Sequence, residues 1–416
     1  MFSLMGLKNR ILVMQTDHRF KVPELLAPAG NLEKLKVAIS YGANAVYLGG
    51  QKFGLRQASD NFTYDELRLG VEFAHERNAL VYVVLNSFLH DKDLEELPPF
   101  VQFLEEIGVD AVIVSDLGVI KTVSEISSLP IHLSTQASCL NVESGKLWKQ
   151  MGVTRLIVGR EMSVKETSAI KKATGLEVEM FIHGSMCMAY SGNCVISNYT
   201  QGRDSNRGGC AHSCRFEYSF EMGENEKKNA FFMSSKDLEG VRVLPEFINE
   251  GIDSIKIEGR MKSNLYAGTV SKVYSEALKY FAQNGNFLSD DLIDWAQELT
   301  KISHRSYTDA SLVHPADETS VFNERETVSE HDYVVAGNII EVKKNAFMIL
   351  EVKNAFNLGD SLELLPFQGK AISFQVLEMT DMKMNPVQRT KPSTLIKLPY
   401  FAGAEQWNIV RRKVTK

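Results

Sequence analysis

ELLAPAGNLEKLKVAISYGANAVYLGG, residues 24–50, sets two short apolar runs on either side of an amphipathic segment. The runs are ELLAPAG (24–30) and AVYLGG (45–50), each near-continuously apolar in its first half. A strand with no polar face is buried on both sides, as the strands of parallel sheets are. Working outward, the unit recurs in LVYVVLNSF (80–88), AVIVSD (111–116), IHLSTQAS (131–138), RLIVGRE (155–161), EVEMFIHGS (177–185) and DSIKIEGR (253–260), eight runs in all.

The intervening segments carry helix signals. Thr63 and Glu66 form a capping box ahead of Leu67, Val71 and Ala74. Val270, Val273, Tyr274, Ala277, Leu278 and Phe281 fall on one face of a long helix. Eight strand–helix pairs between Pro23 and Asn284 predict an α/β fold, a (β/α)8 TIM-like barrel, whose active face lies at the C-terminal ends of its strands. A doubly wound open sheet has the same texture, so the pattern alone leaves both architectures open.

Residues 1–22 read as a flexible leader, because Lys8, Asn9 and Arg10 interrupt the apolar core a signal peptide needs, and Met14 offers an alternative start. Residues 23–300 are the barrel, interrupted after the seventh strand by a cysteine-rich insertion, 186–230, with a hairpin in the same interruption (Phe216 to Met222, Asn229 to Met233) and a short helix near Leu244. Residues 301–332 are polar and weakly periodic, the texture of a connector. From Tyr333 onward short strands return without long helices, predicting a small all-β domain, 333–416, closed as a β-barrel.

The chain of 416 residues is 44% hydrophobic and 24% charged, an ordinary globular balance. No apolar run approaches the roughly 18 residues of a membrane span, and the expected location is cytoplasmic. A net charge of −6 argues against indiscriminate nucleic-acid binding. Arg203, Arg207 and Arg215 form a local exception inside the insertion.

That insertion holds four of the five cysteines, Cys187, Cys194, Cys210 and Cys214, spaced C-x6-C-x15-C-x3-C. In a reducing compartment clustered thiols favour metal binding or catalysis over disulfides. Zinc, an iron–sulfur cluster and a redox pair all remain open on spacing. His212 stands between the last two cysteines, and the remaining Cys139 reads as packing.

Polar residues at predicted strand ends form a second set: Asn86, Asp116, Ser134, Thr135, Gln136, Arg160, Glu161, His183, Lys256, Glu258 and Arg260. Lys256, Glu258 and Arg260 alternate with period two, so they share a strand face. Two cations and a carboxylate in a row suit an anionic small molecule or an internal ion-pair ladder. The chain contains neither HExxH nor GxSxG.

EMFIHGSMCMAYSGNCVIS (179–197), with PELLAPAGNLEKLKVAISYGANAVYLGG, LSTQAS and SIKIEGRMKS, resembles the signature of peptidase family U32, once named collagenase-like. The resemblance spans nearly all of Pro23 to Tyr307. It implies the branch that converts the wobble uridine of tRNA to 5-hydroxyuridine, alongside relatives that hydroxylate ribosomal RNA or the ubiquinone ring. It further implies a [4Fe-4S] cluster on Cys187, Cys194, Cys210 and Cys214, prephenate as co-substrate, the tRNA anticodon loop as partner and a protein partner of the same family. On that reading Lys256 and Arg260 hold the anionic co-substrate and Gln136, His183 and Glu258 orient the reacting group. Arg203, Arg207 and Arg215 then face RNA. A peptidase, as the family name says, and a non-catalytic RNA-binding scaffold are the competing expectations. One departure stands out: related chains read H-R-x-Y-x-x-G-F, whereas here HRSYTDAS (304–311) lacks the Gly-Phe pair.

Overall fold

The structure, a computed structural model, describes residues 20–55, 60–221, 227–322 and 333–414. All eight runs form strands: β1 (Glu24–Pro28), β2 (Ala45–Leu48), β3 (Leu80–Leu85), β4 (Ala111–Val114), β5 (Ile131–Leu133), β6 (Val153–Ile157) and β7 (Glu177–Ser185). The insertion then carries β8 (Tyr218–Glu221), β9 (Lys227–Ala230) and β10 (Asp237–Glu239) before the last barrel strand, β11 (Ser254–Ile257). Ile255 pairs in parallel with Leu25 of β1 and with Met180 of β7, so the sheet closes into a barrel. Closure removes the sheet edges and excludes the open doubly wound alternative.

Strands stop where the runs turn polar. β5 ends at Leu133, and Thr135–Ala137 turns tightly before Ser138, whose φ of 53° lies in the left-handed region. Except in β7, which continues through His183 to Ser185, the polar tails of the runs are therefore mostly loop residues above the barrel. Their helices start as expected: Thr63 Oγ1 accepts from the Glu66 N–H, and the Glu66 carboxylate accepts from the Thr63 N–H at 2.9 Å. Asp116 is a cap too, accepting from the N–H groups of Gly118 (2.7 Å) and Val119 (3.1 Å). Its place at a strand end has a structural cause. In the helix Asn264–Asn284 every apolar position singled out by periodicity is buried.

The connector expectation needs correction. β12 (Tyr307–Thr308) pairs in parallel with β10, and Asp237 accepts from the Arg305 N–H at 3.0 Å, so the start of this stretch is built into the barrel domain. Its remainder, 323–332, lies outside the described residues, as does the leader up to residue 19. Phe20, at the end of that leader, packs its ring on Phe281.

The C-terminal domain contains β13 (Tyr333–Lys343), β14 (Phe347–Val352), β15 (Ser361–Leu365), β16 (Ile372–Gln375), β17 (Leu395–Pro399) and β18 (Ile409–Lys413). They form one antiparallel sheet in the order β16-β15-β18-β13-β14-β17. Among the described residues no ladder joins the end strands β16 and β17, and an isolated bridge links Thr380 to Lys397 of β17. Ile339, Leu350, Leu362 and Val410 give the domain its own core. The Tyr41 hydroxyl fastens it to the barrel, donating to Leu365 O (2.6 Å) and accepting from the Ile409 N–H (2.8 Å).

Candidate active site

β7 and β11 bring the cysteine insertion and the Lys256–Arg260 row to the same end of the barrel. Their close approach depends on Gly184, whose φ is +107° and where a Cβ would lie 2.2 Å from Glu258 O. Beside it the Glu258 N–H donates to His183 O at 2.8 Å. Above these strands lies a cavity of about 220 Å³.

Lys256, Glu258 and Arg260 all line this cavity, but not as one strand face: β11 ends at Ile257, and Gly259 and Met261 in the turn beyond it line the cavity too. Lys256 is buried, 2.8 Å from the Glu179 carboxylate, with its Nζ 4.4 Å from the Tyr47 ring centre. Glu179 also meets Arg155 at 3.3 Å, and Arg155 continues to Glu24 at 2.7 Å and Glu177 at 2.8 Å. A chain of alternating charges thus runs through the barrel interior from the cavity to its far end. The row is both a ladder and a cavity wall. Glu258 pairs with Arg160 at 3.4 Å, and the Arg160 guanidinium stacks 3.8 Å from the Phe181 ring centre.

The charge balance of the lining is one-sided: Arg160, Arg215, Lys256, Arg260 and Lys262 against Glu258 alone. In a chain of net charge −6, this concentrates positive potential in one enclosed place. Gln136 also lines the cavity. Its Oε1 accepts from the Ser134 hydroxyl and from Asn86 Nδ2, the latter at 3.3 Å, leaving its amide N–H₂ as a fixed donor group.

All four insertion cysteines line the same cavity. Burial pushes the Cys214 thiol up; the Arg215 guanidinium opposes this, and the other three thiols add to it. The loop carrying them is pinned by its own backbone. Arg215 donates to Met186 O (2.6 Å) and Ser235 O (2.7 Å). Asn206 donates to Cys194 O at 3.0 Å, and the Ile196 N–H reaches Cys194 Sγ at 3.4 Å. Among the described residues no three His, Cys, Asp or Glu side chains are arranged as the ligands of a single metal ion.

Other expected site residues go elsewhere. His183 does not line the cavity; it is 1% exposed, its ring packed among Tyr266, Tyr274 and Tyr307. Its Nδ1 lies 3.3 Å from the Tyr274 hydroxyl, and burial lowers its pKa to about 3. It is a neutral packing group beneath the site. Arg203, Arg207 and Arg215 do not form one surface. Arg203 is exposed, Arg207 pairs with Asp93 at 2.8 Å and donates to Phe88 O, and Arg215 is turned into the insertion. Glu161 accepts from the Ser191 N–H at 2.5 Å, holding the loop after Cys187. Cys139 is 3% exposed with its thiol pushed up to about 11 by burial, and it does not line the cavity.

Sequence reading missed Tyr47, Phe181, Lys262 and Arg305. Lys262 lies in the turn after β11, where its N–H donates to Gly259 O at 2.8 Å, so strand alternation could not have found it. Arg305 belongs to the departing HRSYTDAS stretch. There His304 stacks on Tyr307 with ring centres 4.1 Å apart, and Ala310, at the expected glycine position, has a φ of +44°.

Comparison with known proteins places this architecture. A sequence model of peptidase family U32 matches residues 30–321, and a model of the U32 C-terminal domain matches residues 331–411. The chain belongs to peptidase family U32. The U32 match takes in barrel, insertion and β12 together, and the C-terminal match covers the separate sheet. Among its relatives, tRNA hydroxylation protein P1 of Bacillus subtilis is 41% identical over 355 residues, 82% of this chain and 83% of that protein. The tRNA hydroxylation protein P of Escherichia coli is 33% identical over 412 residues, 87% and 90% of the two chains. The 23S rRNA 5-hydroxycytidine C2501 synthase of Escherichia coli is 37% identical over 265 residues, 63% of this chain and 40% of that one. No helix among the described residues is long and apolar enough to cross a membrane.

Proposed function

We propose that this U32 chain is an RNA-hydroxylating enzyme that converts the wobble uridine of tRNA to 5-hydroxyuridine. One observation carries the reading: four thiols and five cations line one cavity at the barrel mouth against a single carboxylate. Relatives named for tRNA and rRNA hydroxylation, matched over 63–87% of this chain, support the same reaction class.

Cys187, Cys194, Cys210 and Cys214 would hold a [4Fe-4S] cluster. The residues fit it by donor chemistry, four thiols in one cavity wall, and by spacing. Four sulfurs around one zinc ion sit about 2.3 Å from a common centre, whereas a cluster distributes its cysteines over separate irons. When bound, the cluster supplies a redox centre at the site.

The chain's own groups do the recognition. Lys256 and Arg260 attract the carboxylates of an anionic co-substrate such as prephenate, with Glu179 fixing the Lys256 ammonium from behind. Glu258, held by Arg160, accepts from an N–H of an inserted base, and the Gln136 amide, oriented by Asn86 and Ser134, donates to a base carbonyl. Phe181 and Tyr47 exclude water from the floor. Recognition of this kind takes a splayed, single-stranded base, as an anticodon loop provides.

The test is Cys187→Ala and Cys210→Ala in the full chain, purified anaerobically. Iron and sulfide content and 5-hydroxyuridine in tRNA, read by mass spectrometry from cells carrying only the variant, should both fall to background. Normal 5-hydroxyuridine in either variant, or zinc without iron in the wild type, would sink the mechanism.

A further inference from the structure

At the insertion end of the cavity three cations gather around one carboxylate. Arg305 Nη2 lies 3.4 Å from Asp237 Oδ1 and 3.5 Å from Ser185 Oγ. Lys262 Nζ donates to Ser303 O at 3.2 Å, and Arg215 is held on Met186 O and Ser235 O. Ser185, Arg215 and Lys262 line the cavity, and Arg305 stands directly behind Ser185. Asp237 is 2% exposed at its side chain and Arg305 13%, so this charge is largely removed from water.

The group is undercompensated in two respects. Three positive charges meet one negative, whereas Lys256 and Arg160 at the other end each have a carboxylate of their own. Arg305 Nε and Nη1 are also buried without a hydrogen-bond partner. Buried cations and unsatisfied donors cost free energy unless an anion or water meets them. Arg305 reaches the cavity through Ser185, whose hydroxyl it meets and which lines the wall.

We propose that the end of the cavity formed by Ser185, Arg215 and Lys262, backed by Arg305, is an oxyanion subsite for a carboxylate or phosphate group. It adds Ser185, Arg215 and Lys262 to the Lys256 and Arg260 cations that line the same cavity. The proposal deepens the reading of the cavity as an anionic co-substrate site but does not depend on hydroxylation. Lys262 supplies a charge-assisted donor at the wall, Ser185 a hydroxyl fixed by Arg305, and Arg215 and Arg305 the field. Arg215, already spent on carbonyl oxygens, contributes charge more than hydrogen bonds.

Inorganic phosphate is the probe, titrated calorimetrically into the anaerobically purified full chain. Lys262→Met should weaken phosphate binding about ten- to a hundredfold, the worth of one charged hydrogen bond, and Lys262→Arg should restore most of it. Circular dichroism and the visible absorption of the four-cysteine site are recorded alongside, to show that both variants are folded. Prephenate displacing phosphate identifies a carboxylate as the natural group; an anticodon stem-loop displacing it identifies an RNA phosphate. Unchanged phosphate affinity in Lys262→Met overturns the proposal, as does a shift in the visible spectrum with phosphate affinity intact, which would make these cations counter-charges to the thiolates. Phosphate binding that follows this pattern in a protein that hydroxylates no RNA would refute the functional reading and leave the subsite standing.

Discussion

Replacing Glu179 by Leu takes away the carboxylate on which Lys256 rests. Glu179 is 0% exposed and Lys256 6% at their side chains, 2.8 Å apart. Arg155, the second cation on Glu179, keeps Glu24 at 2.7 Å and Glu177 at 2.8 Å, so its charge stays compensated. The loss therefore falls on Lys256, left as a cation between the Tyr47 and Phe181 rings. Removing one partner of a buried pair costs about 3–5 kcal/mol, mostly through the stranded charge, while replacing both with apolar side chains is near neutral. Glu179→Leu should lose that amount, and Glu179→Leu/Lys256→Met should recover all but about 1 kcal/mol. Urea unfolding of the four proteins of the cycle at pH 7 measures this, the midpoint shifting with the slope held constant. The double variant should still form no 5-hydroxyuridine, because a stable barrel without the Lys256 charge lacks one end of its anion site. A single variant within about 1 kcal/mol of wild type, or a double variant no more stable than the single one, would refute the idea that burial, not surface attraction, governs this pair.

Two further outcomes follow from the same geometry. With its pKa lowered to about 3 by burial, His183 binds a proton in the unfolded chain but not in the folded one between that value and about 6.5, so stability falls as pH drops through that window. Wild type should lose about 1 kcal/mol more than His183→Gln between pH 6.5 and pH 5.5, the unfolded imidazole being half protonated at the start of that interval; equal acid sensitivity of the two proteins would contradict a neutral buried imidazole. Gly184→Ala, with a φ of +107° and Glu258 O 2.2 Å from the new Cβ, should cost about 2 kcal/mol or more and displace Glu258. Gly152→Ala, at a φ of +88° with nothing within 4 Å, should cost only the backbone strain, about 1 kcal/mol; equal midpoint losses for the two would remove the close approach of β7 and β11 as the reason for Gly184.

How far the chain could be read in advance differs from one residue to the next. The eight barrel strands were legible because double burial forces apolar runs, and the helix Asn264–Asn284 because its buried positions repeat with the helical period. Lys256, Glu258 and Arg260 were legible as cavity residues from their place at a strand end, but not as one strand face, because β11 stops at Ile257. Burial contrast also explains the error over 301–332: the segment is polar, but β12 buys its place through backbone pairing with β10 and through Asp237, neither of which leaves an apolar trace.

By itself, then, the sequence determined the repeating strand–helix unit and the gathering of four thiols in one insertion, since each rests on spacing along the chain. Only the tertiary structure decided that β11 closes onto β1, that His183 lies beneath the cavity while Gln136 lines it, and that Arg203, Arg207 and Arg215 part company. It also decided that Arg305, on a stretch expected to be a linker, stands behind Ser185 at the cavity wall. Those outcomes depend on contacts between residues far apart in the chain, and on which of two partners a charge finds first, and no local pattern encodes either.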